Sequence, residues 1–221
     1  MSTPTFETRD PARADFWTER YANDFMPWDQ RAVPEEFARA VRGEVDADHL
    51  PKAPARVLIP GCGSSYELQC LADAGYDALA IDISSAAVER AREQVGAHQA
   101  RVQLADCFVI DTDAAHAARY DWVYERAFVC ALPTRLWSRW AQAMAALVAP
   151  GGVLAGYFYF DPVAGAQPMP ARRGPPFAML SEELAGLLGP AFECVVDRPV
   201  PPDASVPVFR GKERWMVWRR R

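Results

Sequence analysis

The 221-residue sequence predicts an α/β fold: one doubly wound, seven-stranded, mostly parallel sheet with its last strand antiparallel, preceded by an N-terminal helical cap. Three observations predict it. Short apolar runs alternate with segments of helical spacing from residue 55 onward. A glycine-rich turn, Gly61-Cys62-Gly63, follows the first apolar run and opens a helical segment, and the next run closes on Asp82. The last two runs, "FECVVDRPV" and "ERWMVWRR", follow one another as a hairpin with a long loop, which turns the final strand against the others.

The elements follow in order. Residues 11–41, "PARADFWTERYANDFMPWDQRAVPEEFARAV", form two short helices joined by a turn around Pro27-Trp28-Asp29. Phe16, Trp17 and Tyr21 share one helical face, which packs this cap onto the body. Residues 56–60 are a buried strand, and 64–74 a helix with Leu68, Leu71 and Ala72 at helical spacing and Gly75 as its stop. Residues 76–81 make the second strand. Ser84 caps the next helix, which carries Val88, Ala91 and Val95. A short third strand, 101–104, runs into "ADCF" and the polar connection "DTDAAHAA", where His116 is expected in solvent. Residues 120–125 are the fourth strand, with Trp122 and Tyr124 on one face. A helix starts near Pro133, a residue suited to its first position, with Leu132, Leu136, Trp140, Met144 and Leu147 as its buried stripe. "GGVLAGYFYF" is the fifth strand. Residues 161–180 are a lid loop rich in Pro, Gly and Ala, with Arg172 and Arg173 in it. Ser181 caps a short helix over 181–188. The expectation is one domain over 1–221: a cap at 10–50, a ligand-binding core at 55–160, the lid, and a C-terminal helix and hairpin at 181–221.

Half of the residues are apolar, enough for one substantial core, and a net charge of −5 gives no reason to expect a nucleic-acid partner. Arg219, Arg220 and Arg221 are a solvated strand end. Five cysteines without paired spacing point to reduced thiols and a cytoplasmic location. No Cys-x-x-Cys or His-x-x-x-His is present, so no metal site is expected. The uncharged run 142–160 is cut by Pro150-Gly151-Gly152, and the first thirty residues hold no apolar signal core, so no membrane partner is expected.

The turn after a first parallel strand lies at the carboxyl edge of the sheet, where such folds bind ligands. Gly61 and Gly63 let the backbone turn sharply and approach a ligand. Asp82, at the tip of the second strand, is placed to accept from two ribose hydroxyls. A dinucleotide site would need a third glycine three residues after Gly63, and Tyr66 stands there. The ring argues against a pyrophosphate, and so against an NAD-dependent oxidoreductase, and for a smaller adenosyl ligand such as S-adenosylmethionine. The rival is an ordinary tight turn with Asp82 at a helix start.

"FWTERYANDFMPWDQRAVP", "VLIPGCGSSYELQCLADAGYDALAIDIS", "DCF", "YDWVYERAFVCALPTRLWSRWAQAMAALVAPGG" and "GPPF" occur in this order between Phe16 and Phe177. With these pieces the chain resembles the class I S-adenosylmethionine-dependent methyltransferases. More narrowly, it resembles the thiopurine S-methyltransferase family, with its plant thiol and halide methyltransferase relatives. It departs from the family at Ser64, where a lysine or close variant is usual, and in the Pro- and Ala-rich run 157–173.

The resemblance implies a Rossmann-like fold, S-adenosyl-L-methionine as cofactor and a small-molecule acceptor, in a monomer or weak homodimer. By the same resemblance Trp28 covers the methionine end or the methyl group, and Gly61, Cys62 and Gly63 approach the cofactor through backbone. Asp82 holds the ribose with Ile83 beside the adenine, and Asp106, Cys107 and Phe108 form the adenine end. Glu125 and Arg126 face the transferring methyl and its acceptor, Arg126 as the catalytic residue. The rival roles are Asp106 as a turn cap and Arg126 paired with Glu125 or Asp82. Cys62 and Cys130 are expected as small buried thiols. The implied activity is methyl transfer to a soft nucleophile, a thiol or thiopurine-like sulfur. The alternatives are halide, oxygen, nitrogen, selenium or tellurium acceptors, or a cofactor-binding protein without catalysis.

Overall fold

The structure, a computed structural model, describes residues 5–160 and 174–221. Residues 161–173, with Arg172, Arg173 and most of the expected lid, lie outside the described residues. Seven strands form one sheet: β1 (Arg56–Pro60), β2 (Asp77–Asp82), β3 (Val102–Leu104), β4 (Tyr120–Arg126), β5 (Val148–Tyr159), β6 (Phe192–Pro199) and β7 (Glu213–Arg220). Their order is β3-β2-β1-β4-β5-β7-β6. Pairing is parallel from β3 through β5, and β7 runs antiparallel to both β5 and β6. The last strand is therefore antiparallel as expected, but it threads between its two predecessors in the sheet.

Strand order reverses between β1 and β4. The chain first builds outward through β2 and β3, then returns to the other side of β1. Such a reversal leaves a crevice beyond the carboxyl ends of the two strands.

Alternation along each strand divides the core in two. Val57, Ile59, Trp122, Tyr124 and Trp215 pack on one face with Phe37, Leu68 and Leu71. Leu58, Val123, Leu154 and Met216 pack on the other with Trp140, Met144 and Leu184. The helices supplying these faces are α2 (Glu35–Val41), α3 (Tyr66–Asp73), α4 (Ser85–Val95), α5 (Cys107–Ile110), α6 (Trp137–Leu147) and α7 (Ser181–Leu188), while α1 (Ala14–Ala22) packs through Tyr21 in a smaller cluster with Met26 and Ala87. Phe37 of α2 is fully buried against Trp122 and Tyr124, with ring centroids 5.6 and 4.5 Å away, and this contact docks the cap on the sheet. Arg198 of β6 reinforces the docking through ion pairs with Glu36 and Asp46.

Several helix starts differ from the sequence expectation. α3 begins at Tyr66, because Ser65 takes a left-handed φ of 56° while its N–H bonds the Cys62 carbonyl at 2.9 Å. Pro133 precedes a 3₁₀ turn, Thr134–Leu136, and α6 starts after it at Trp137. Ser181 is the first residue of α7, and Leu180 is its cap, with its N–H donating to the Glu183 carboxylate at 2.8 Å. Ser84 does cap α4, its Oγ accepting from the Ala87 N–H at 3.2 Å. His116 is half-buried against Tyr120, its Nδ1 2.6 Å from the phenol oxygen. Among the described residues no helix is long and apolar enough to cross a membrane.

Candidate active site

A cavity of about 590 Å³ opens in the crevice beyond the carboxyl ends of β1, β2 and β4. Its floor begins where β1 ends. Gly61 and Gly63 hold φ values of 60° and 53°, a region that disfavours any side chain. A Cβ at Gly61 would stand 2.7 Å from the Phe128 ring, and one at Gly63 would stand 2.5 Å from the Tyr21 hydroxyl. The glycines thus admit two aromatic walls as well as a ligand. Between them Cys62 donates its N–H to the Ile81 carbonyl at 3.0 Å and ties the turn to β2.

Asp82 ends β2, buried on the cavity wall. Its Oδ2 accepts from the Gly63 N–H at 3.1 Å and its Oδ1 from the Ser84 N–H at 2.9 Å. Burial pushes its carboxyl up to about 6, against the pull of these backbone bonds. Each oxygen keeps further acceptor capacity, which suits a vicinal diol. Ile83 lines the cavity next to Asp82, and one strand further out Asp106 lines it with Cys107 and Phe108 while capping α5, accepting from the Phe108 N–H at 2.8 Å. The capping role and the place on the cavity wall coexist there.

The roof comes from the cap. Trp28 stands edge-on to Trp17 and Tyr21, with centroids 5.5 and 6.0 Å away, and its Nε1 points to the Tyr21 hydroxyl at 3.4 Å. The next residue, Asp29, accepts from the Ser64 Oγ at 2.5 Å, so the roof is bonded to the glycine turn. The sequence marks Asp29 only as part of a turn, with no sign of this bond. Ser64, the departure noted above, is its partner.

Arg126 closes β4 and faces the cavity. Its Nη2 donates to the Gln30 Oε1 at 2.7 Å, and the guanidinium lies 4.8 Å from the centre of the Tyr157 ring. Its Nη1 is buried without a hydrogen-bond partner among the described residues. Among the described residues it makes no ion pair, neither with Glu125 nor with Asp82, and it feels the charges of Glu67 and Glu213.

The structure does not bring Glu125 to the cavity wall. Successive strand residues point to opposite faces, so Glu125 goes with Val123 and Arg126 with Tyr124. Glu125 Oε1 accepts from the Phe128 and Val129 N–H groups at 2.9 and 3.0 Å, and burial pushes its carboxyl up to about 7. It shapes the turn that carries Phe128 over Gly61.

Glu67 was not singled out by the sequence, yet it lines the cavity from the first turn of α3. The signal was present: Glu67 shares the buried helical face of Leu68 and Leu71. Tyr124, equally unforeseen, donates its hydroxyl to Glu67 Oε1 at 3.4 Å. Burial pushes Glu67 above the usual carboxylate range, while the Arg126 charge pulls it down. Burial also raises the thiols of Cys62, Cys107 and Cys130, which are therefore poor nucleophiles.

The family model described as thiopurine S-methyltransferase matches residues 12–221. The thiopurine S-methyltransferase of Azotobacter vinelandii is 30% identical over 196 residues, which cover 79% of this chain and 81% of that protein. Thiocyanate methyltransferase 1 of Arabidopsis thaliana is 26% identical over 212 residues, 92% of this chain and 84% of that protein. Among solved structures, the Burkholderia thailandensis 1,6-didemethyltoxoflavin-N1-methyltransferase with bound S-adenosylhomocysteine superposes with a TM-score of 0.65 at 17% identity, covering 95% of this chain and 87% of that one.

Proposed function

Because the chain belongs to the thiopurine S-methyltransferase family, and is thus an S-adenosyl-L-methionine-dependent methyltransferase, we propose that its acceptor is a small soft nucleophile, a thiol or thiopurine-like sulfur. The observation that carries this proposal is the Arg126 guanidinium, a cation bonded to Gln30 and without an ion pair among the described residues, on the wall of an aromatic cavity.

The cavity's residues fit the cofactor. Gly61 and Gly63 leave a turn without Cβ atoms, Asp82 offers a buried carboxylate at the ribose position, and Ile83, Asp106, Cys107 and Phe108 lie where an adenine would extend. When bound, S-adenosyl-L-methionine supplies a methyl group activated by a positive sulfonium. Trp28 and Phe128 line that cavity, where aromatic rings would exclude water and favour a cation. Arg126 holds the anionic sulfur of the acceptor in line with the methyl group, and alignment of this kind contributes several kcal/mol. A thiolate needs no strong general base. None of the three histidines lines the cavity, in agreement with that chemistry.

The whole chain acts on this proposal as one methyltransferase domain, a monomer or weak homodimer in the cytoplasm, where its five free thiols stay reduced. A methyl-transfer screen over thiopurines, aromatic thiols, halides, thiocyanate, hydrosulfide and selenite tests it. Turnover concentrated on the aromatic thiols and thiopurines is expected. Turnover of halide or thiocyanate with none of any thiol would overturn it.

A further inference from the structure

Two carboxylates on the cavity wall are nearly closed to solvent, Asp82 at 7% exposure and Glu67 at 8%. Asp82 is well partnered, with a backbone N–H on each oxygen. Asp29, half-buried on the same wall, is also partnered, accepting from Ser64 Oγ and from the Arg31 N–H at 2.6 Å. Glu67 is not. Its one side-chain hydrogen bond among the described residues is the 3.4 Å contact from Tyr124, at the weak end of the range, and it has no ion pair. The cation nearest in the cluster, Arg126, gives its bond to Gln30 instead. A buried carboxylate so thinly partnered is costly unless a cation or donor meets it.

Its place in the sheet says which cation. Along the carboxyl edge the strand order puts Asp106 beyond β3, Asp82 on β2, the glycine turn on β1 and Arg126 on β4. An adenosyl ligand with its base at Asp106 and its ribose at Asp82 therefore extends its tail over β1 toward β4. Glu67 lies four residues past Gly63 and is bonded to Tyr124 of β4, on that path.

We propose that Glu67 receives the α-ammonium group of the cofactor's methionine end. Three N–H donors there would supply the partners the carboxylate lacks. The bound ammonium would also favour the ionised form that burial disfavours. This inference rests on the cofactor and not on the acceptor, so it stands or falls apart from the thiol proposal.

Calorimetry without acceptor tests it, with S-adenosylhomocysteine and 5′-methylthioadenosine, which has the adenosyl thioether but no amino-acid end. Glu67→Gln keeps the shape and an acceptor for the Tyr124 hydroxyl. It should weaken S-adenosylhomocysteine roughly tenfold or more, about 1.4 kcal/mol, and leave 5′-methylthioadenosine unchanged. Glu67→Asp, which keeps the charge, should recover part of the loss and serves in its place if the glutamine variant does not fold. In that case the expected result is a smaller loss, again confined to S-adenosylhomocysteine. Equal weakening of both ligands, or unchanged S-adenosylhomocysteine binding, would overturn the proposal.

Discussion

Removing the Arg126 guanidinium should affect both acceptor binding and pH-dependent stability, by different routes. Arg126→Ala takes away a cation on the cavity wall, one that Gln30 anchors through Nη2 at 2.7 Å. A hydrogen bond to a charged group is worth about 1.5–3 kcal/mol. Arg126 is only half-buried, so the low end applies, and the apparent constant for an ionised thiol should rise roughly tenfold, about 1.4 kcal/mol. A neutral acceptor should be far less affected. Arg126→Lys should restore only part, because a point charge cannot bond Gln30 and face the cavity at once.

The stability effect has its own sign. Burial raises the carboxyls of Glu67 and Glu213, and in both the Arg126 charge opposes the rise. Without Arg126 their folded pKa values climb further above the unfolded ones. The folded state then holds more protons than the unfolded state, and the added loss of stability grows as pH rises through the folded values. The variant should thus melt closer to wild type at pH 5 than at pH 8. Melting temperature and acceptor kinetics on one preparation separate the two roles. A large drop in melting temperature with an unchanged acceptor constant would refute the reasoning and leave Arg126 as a counter-ion only.

Asp82→Ala should weaken S-adenosyl-L-methionine by about 1–3 kcal/mol in calorimetry, and unchanged affinity would remove Asp82 from the site. With the Asp82 carboxyl at about 6 in the folded chain, cofactor affinity should fall as pH drops through 6, an inflection absent in Asp82→Asn. The same raised value makes this residue's effect on the stability of the ligand-free fold opposite in sign: favourable below the ordinary 3.8 and lost as pH rises through about 6. Trp28→Ala strips the roof of its contacts with Trp17 and Tyr21 and should lower turnover and cofactor affinity together; wild-type values for both would leave Trp28 a packing element. Gly63→Ala forces a side chain onto φ 53° and against the Tyr21 hydroxyl, and should cost about 1–3 kcal/mol of stability along with cofactor affinity; normal melting and binding would contradict the close approach.

Local chemistry made much of this legible before any coordinates. The glycine turn, Asp82 and the alternation of strands and helices depend on near neighbours, and the structure places them as the pattern implies. The helix starts were less legible, since Ser65 in a left-handed conformation and the 3₁₀ turn after Pro133 are set by packing. Glu125 and Arg126 were expected on one site, yet adjacent strand residues face opposite ways, and the pleat alone separates them. Glu67 and Tyr124 meet across 57 residues of sequence, a contact that only the return of β4 beside β1 creates. The insertion of β7 between β5 and β6 likewise has no local signature.

The most direct measurement is a competition in one vessel. The wild-type chain is given methyl-labelled S-adenosyl-L-methionine with an aromatic thiol and thiocyanate at equal concentration, and the labelled products are identified by mass spectrometry. Label on the aromatic sulfur in large excess, with that preference reduced in Arg126→Ala, is the predicted result. Label on thiocyanate alone, or on no sulfur at all, would contradict the assignment of a thiol acceptor.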